Sequence, residues 1–175
     1  ATLTATPTII KRRGTAAEYR RLPEGPPYYE FEDGELIEWP SRSGGHQGIV
    51  GRLLITLSNY LVKYPIGNVW HGVAVALAPT RIFIPDLSFL LTANYSRFAD
   101  DIAIQGPPDM VIEVVSPSTA ARDRSQKLRA YYDAVYLVNQ AIPATEAFAP
   151  GLFPGLSFRM ADWFGERNAE KESHE

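Results

Sequence analysis

Pro107-Pro108-Asp109-Met110-Val111-Ile112-Glu113-Val114-Val115-Ser116-Pro117-Ser118 is the stretch on which the fold turns. From Met110 to Val115 every residue is apolar except one carboxylate, Glu113. Apolar side chains at both parities predict a central strand buried on both faces. A carboxylate in such a strand is costly unless it is paired or bound to a metal. Pro117 biases Ser116 toward an extended backbone, and the run stops there. Glu113 is therefore expected near a strand end, where sheets open toward ligands. A buried Glu satisfied by a neighbouring Arg would explain the residue as well, so its flanks must decide.

Upstream, Arg81-Ile82-Phe83-Ile84-Pro85-Asp86-Leu87-Ser88-Phe89-Leu90-Leu91 repeats the feature, with Asp86 inside an apolar run. Asp is depleted in strands, and Pro is tolerated at strand starts, edges and bulges. Two adjacent strands that each deliver one carboxylate would make an oxygen-rich cleft suited to a hard divalent cation. Downstream, Asp123 and Lys127 lie four residues apart in a run of good helix formers from Ala120 to Tyr132, which sets them on one helix face. An ordinary exposed ion pair has the same spacing.

These residues resemble the PD-(D/E)xK nuclease superfamily with its restriction-endonuclease-like core, and more narrowly the Uma-type restriction-endonuclease-like proteins of bacteria. Five features of that family stand here in order: Tyr29-Glu30 with Gly34-Glu35, His46 opening a helix, Pro85-Asp86, the run Pro108 to Ser118, and Asp123 with Lys127. The likeness runs from about Tyr19 to Phe164. One departure is Val115, which stands two residues after the Glu, where the superfamily has its Lys. The resemblance implies that Lys127, from the next helix, supplies that ammonium.

The resemblance further implies an α/β fold of restriction-endonuclease type: a central mixed β-sheet flanked by helices, with an N-terminal β-hairpin. It implies a metal-dependent endonuclease hydrolysing DNA phosphodiester bonds with Mg2+, or Mn2+ in its place. Asp86 and Glu113 would hold the metal, helped by the Val114 backbone carbonyl, and Lys127 would position the attacking water or stabilise the transition state. One or both hairpin carboxylates approach the metal in this picture, with Glu35 preferred over Glu30. Ser116 and Asp123 would orient Glu113 and Lys127, and His46 would bond a phosphate or a carboxylate if it does not merely cap or pack its helix. Three rivals stand beside this: a catalytically degenerate nuclease-fold module that binds nucleic acid or a partner, a hydrolase using the carboxylates as acid and base, and a purely structural interaction protein.

Length and composition bound these readings. At 175 residues the chain suffices for one domain with a sizeable core. It has no cysteine, so disulfides and thiolate metal sites are excluded. No apolar run reaches membrane-spanning length and no apolar signal region opens the chain, so a cytoplasmic protein without membrane association is expected. The net charge of −3 argues against nonspecific coating of nucleic acid. A nuclease with this balance needs a local basic patch, for which Lys11 to Arg13, Arg20-Arg21, Arg42 with Arg52, and Arg122 to Arg129 are candidates. Double-strand cleavage further suggests a homodimer, with hairpin aromatics and the segment around Trp163 as contact surfaces.

In chain order, residues 1–14 are expected as a flexible arm, 15–164 as the nuclease-like domain and 165–175 as a charged tail. Thr15 with Glu18 predicts a capped short helix, and Asp33-Gly34 a tight hairpin turn. Ile49, Val50, Leu53, Leu54, Leu57, Leu61 and Val62 recur at helical spacing behind His46. Val69 to Leu77 reads as one strand, Thr92 to Gln105 as a polar loop, Thr119 to Asp133 as a helix and Val135 to Val138 as a strand. The stretch from Ala134 to Pro150 is short for the strand, turn and strand of the resembled family. Either this member is shortened there or the sequence lacks residues; the helix end without Gly favours the second.

Overall fold

The computed structural model describes residues 9–23, 25–115 and 140–163. The chain divides into two compact units, Ala1–Tyr136 and Leu137–Glu175, where the sequence suggested one domain over 15–164. The predicted helix from Thr119, the strand Val135 to Val138 and the charged tail lie outside the described residues, as do Ser116, Asp123 and Lys127.

In the first unit, strand β1 (Ile10–Arg13) precedes helix α1 (Ala16–Tyr19) and the hairpin β2 (Tyr29–Glu32) and β3 (Glu35–Glu38). Residues 10–13 are thus not a loose arm: Ile10 pairs with Glu38 and Arg13 with Glu35. The strand is exposed along its length, and its Lys-Arg-Arg charges suit an outer edge, where they discourage pairing with another chain. The Thr15 hydroxyl accepts the Glu18 N–H while the Glu18 side chain takes the Thr15 N–H, a complete capping box. Asp33 and Gly34 turn the hairpin with φ of 44° and 90°, the pair of positive values that two-residue hairpin loops require.

Helix α2 (Gly44–Lys63) is capped by Ser43 and buries His46, Val50, Leu53, Leu57 and Leu61 on one face. Next come β4 (Gly67–His71) and β5 (Ala74–Ala78). The single strand expected from Val69 to Leu77 is broken because Gly72 adopts φ +62°, and the chain changes sheets there. β6 (Arg81–Phe83) and β7 (Leu87–Leu91) make the opposite change across Ile84-Pro85-Asp86. The expected polar loop 92–105 instead contains a 3-10 turn (Thr92–Phe98) and strand β8 (Ala103–Gln105), which runs parallel to β5. Its one apolar anchor, Ile104, is fully buried, too little pattern to read from sequence.

Six strands in the order β1-β3-β2-β6-β5-β8 form a mixed sheet, and β9 (Met110–Ile112) completes a three-stranded sheet β4-β7-β9. β9 is shorter than the run that predicted it. Among the described residues it sits at the outer position and is half-buried, not sandwiched on both faces. Val75 and Ile104 of the larger sheet share a core cluster with Leu90 of the smaller. A second cluster, Phe31, Leu36 and Ile82, is covered by Ala16, Tyr19 and Leu22 from the α1 region. The second unit pairs β10 (Ala147–Phe148) with β11 (Phe158–Arg159), and Phe158 lies between Phe148 and Trp163 at ring distances of 5.2 and 5.0 Å.

Candidate active site

Asp86 stands where the chain passes from β6 into β7. Pro85 has no N–H to give a ladder, so pairing ends there and the next side chain is released from the sheet. β7 pairs antiparallel with β9, Leu87 opposite Ile112 and Ser88 opposite Val111. Asp86 and Glu113 are the next residues beyond that ladder; continued by one step, the register would face them. In a regular ladder such partners share a face with Cβ atoms about 4.5–5.5 Å apart. The Val114 N–H confirms the approach, donating to Asp86 Oδ2 at 2.7 Å. Val114 thus meets Asp86 through its N–H, where the sequence had suggested its carbonyl as the functional atom.

His46 completes the contact from the other side. Its N–H is held by the Ser43 hydroxyl at the start of α2, 3.2 Å away, and its buried ring brings Nε2 to 3.1 Å from Asp86 Oδ2. A carboxylate acceptor requires a proton on Nε2; Nδ1 is the other ring nitrogen. That Nδ1 and the Ser88 hydroxyl are buried without a hydrogen-bond partner among the described residues.

Oδ1 of Asp86 is differently placed. Among the described residues, Arg42 Nη2 comes to 4.0 Å from it, too long for a hydrogen bond. Burial pushes the Asp86 carboxyl up, but bonds from His46 and Val114 and the charges of Arg42 and His46 outweigh it and hold the group below its ordinary value. Asp86 is therefore an anion at neutral pH, with one oxygen engaged and the other facing a cation at a distance.

The two hairpin carboxylates separate sharply. Glu35 is exposed near the turn and forms a 3.5 Å ion pair with Lys11. The structure does not bring it to Asp86. Glu30, two register steps away, is almost fully buried. It accepts the Ile84 N–H at 2.9 Å and the Trp39 indole N–H, and so braces the segment that carries Asp86. The resemblance preferred Glu35, but the pairing of Phe31 with Ile82 points the far end of β2, with Glu30, at Ile84. Asp109 of the second Pro-Asp is occupied with the Leu91 N–H and the Asn94 amide, a structural cap between β7 and the loop before β9.

Among the described residues no three His, Cys, Asp or Glu converge as a closed metal cage. What Asp86 offers is an Oδ1 that, among the described residues, accepts no hydrogen bond, with Glu113 beside the Val114 that bonds Oδ2. That fits a hard cation such as Mg2+, which keeps several waters and takes one or two protein carboxylates.

Residues 16–136 match the profile of the Uma2 family, described as "Putative restriction endonuclease". The chain belongs to this family. Its Uma2 segment ends where the first compact unit ends, at Tyr136. A solved structure of a DUF820 nuclease, so described and from Anabaena variabilis ATCC 29413, superposes with a TM-score of 0.52 at 24% identity, covering 67% of this chain. The chain spans 64% of that protein's length, and the likeness establishes a shared fold. No curated protein matched the chain. Within the Uma2 segment, His46 of α2 and the Val114 N–H after β9 meet Asp86, which precedes β7.

Proposed function

We propose that this Uma2 protein is a metal-dependent endonuclease that hydrolyses DNA phosphodiester bonds, using Mg2+ or Mn2+. The observation that supports the reading is at Asp86: the Val114 N–H, next to Glu113, and His46 both bond one Asp86 oxygen, just beyond the last β7–β9 pair Leu87–Ile112. Asp86 and Glu113 are the metal-holding carboxylates, with the Val114 main chain beside them. The chemistry a divalent ion held by them would supply is a lowered pKa for a bound water and neutralisation of charge on the scissile phosphate. Val114 and His46 fix the Asp86 carboxylate plane, the task that outer ligands perform at metal sites. Lys127 supplies the ammonium that orients water or stabilises the transition state, with Ser116 and Asp123 supporting it. Of the hairpin carboxylates, Glu30 braces the Ile84 segment, while Glu35, which the resemblance preferred near the metal, pairs with Lys11. DNA as substrate implies a cytoplasmic setting, and among the described residues no helix is long and apolar enough to cross a membrane.

A second reading has its own support. Val115 is 41% exposed at the position where the superfamily carries its lysine, so a module that binds DNA without cutting it is the alternative. Incubation of supercoiled plasmid with Mg2+, Mn2+ or chelator separates the two. Cleavage with either metal, lost at least ~100-fold in Asp86→Asn, Glu113→Gln and Lys127→Ala, is the expected result for groups acting on the reacting phosphate. DNA binding without metal-dependent cleavage would select the degenerate module.

A further inference from the structure

The Asp86 oxygen that a metal would take is the one facing Arg42. Arg42 is the permanently charged side chain that, among the described residues, comes within ion-pair range of Asp86. Its position is built. The guanidinium lies over the Trp39 ring, 5.9 Å from the centroid, within the range of a cation–π contact. Trp39 is itself tied by its indole N–H to the buried Glu30. Arg42 remains 27% exposed while the Asp86 side chain is 8% exposed, so the guanidinium approaches from the solvent side. At 4.0 Å it neutralises Asp86 without a hydrogen bond to anchor it there. Arginine also presents a fork of donors that matches phosphate geometry.

We propose that Arg42 is an exchangeable counter-ion: it balances Asp86 while the metal is away, and turns to a DNA phosphate when a divalent ion takes Oδ1. The inference rests on the metal-nuclease reading and deepens it by naming the anion anchor. Two cations cannot share one carboxylate oxygen without repulsion, so Arg42 competes with the metal it makes way for. A residue that merely supported the fold would, on removal, weaken metal binding or leave it alone. Removal of a competitor strengthens it.

The test is Mn2+ titration of the full chain by calorimetry, with DNA affinity measured separately by anisotropy in Ca2+ over a range of salt. Arg42→Gln is expected to bind Mn2+ roughly three- to tenfold more tightly, as loss of a neighbouring positive charge requires. Its DNA affinity should fall, with the slope of log affinity against log salt shallower by about 0.9 for one lost phosphate contact. Arg42→Lys keeps the charge but loses the planar fork, so it should bind Mn2+ like the parent and DNA more weakly; it also serves if the Gln variant folds poorly. Parent protein that binds Mn2+ while Arg42→Gln binds it no more tightly overturns the counter-ion assignment alone. Tighter Mn2+ binding with unchanged DNA affinity overturns the phosphate anchor. A parent chain that takes up no Mn2+ overturns the metal reading, and this inference with it.

Discussion

At the scale of single residues, Tyr19 reports on the electrostatics beneath the site. It ends α1 and packs against Phe31 at a ring distance of 6.4 Å. Burial first, and the Glu30 carboxylate second, push its hydroxyl up from the ordinary 10.0 to about 12. The folded state thus holds this proton more tightly than the unfolded chain. The stability it confers is complete below pH 10.0 and is lost as pH rises through about 12. A two-unit shift corresponds to at most ~2.7 kcal/mol. Urea unfolding of the parent and Tyr19→Phe across this alkaline window should show a steeper loss in the parent. Parallel curves would mean that the hydroxyl ionises as freely in the fold as out of it. The same Glu30 charge that raises Tyr19 holds the Ile84 N–H and the Trp39 indole, so one buried carboxylate links α1, the hairpin and the approach to Asp86.

At the scale of elements, the site depends on two sheet changes that lie side by side. The chain leaves the small sheet at Gly72 and re-enters it at Asp86, and the Gly72 N–H reaches the Asp86 carbonyl at 3.4 Å. β4 is the strand that holds β7 in place from the side away from β9. Gly67 opens it opposite Leu91. A Cβ there would lie 2.2 Å from the Leu90 carbonyl oxygen and 2.6 Å from the Phe89 ring, an overlap with backbone that no rotamer relieves. Gly67→Ala should therefore cost about 3 kcal/mol or more, and because the strain falls on β7 it should also weaken Mn2+ binding. Thermal unfolding and a Mn2+ titration check both halves; a variant as stable as the parent would show that β4 is free to shift. Much of this level was legible in the residues. Asp33-Gly34 and Thr15 with Glu18 act within a few residues, and the two carboxylates announced themselves as charges inside apolar runs. The sheet changes were not legible, since Val69 to Leu77 is apolar on both sides of His71-Gly72 and the positive φ of Gly72 breaks it. Arg42 was legible only as a candidate for a basic patch; its meeting with Asp86 escaped, because the two lie 44 residues apart in sequence, beyond the reach of any local pattern.

At the scale of the whole molecule, charge and symmetry constrain how DNA could be cut. A net charge of −3 gives no general attraction to a polyanion, so binding must come from local cations. The exposed Lys11-Arg12-Arg13 edge and Arg42 are such cations on the first unit. In the proposed nuclease one Asp86–Glu113 pair would serve one phosphate, whereas the strands of a duplex run antiparallel. Two sites related by a two-fold axis meet that geometry, and a homodimer supplies them with one kind of interface. Tyr28 at the foot of the hairpin is 51% exposed, an aromatic of the kind that interfaces favour. Its substitution should leave the fold within about 0.5 kcal/mol of the parent, as for most surface changes. The expected outcome is a dimer by light scattering at micromolar concentration, with Tyr28→Glu shifted to monomer. On supercoiled plasmid the parent should then give linear product without a build-up of nicked circles, because both cuts fall within one encounter. Tyr28→Glu should accumulate nicked circles first, because each encounter cuts one strand. A parent protein that is monomeric and still linearises plasmid directly would place both cuts in a single chain and remove the reason for a dimer.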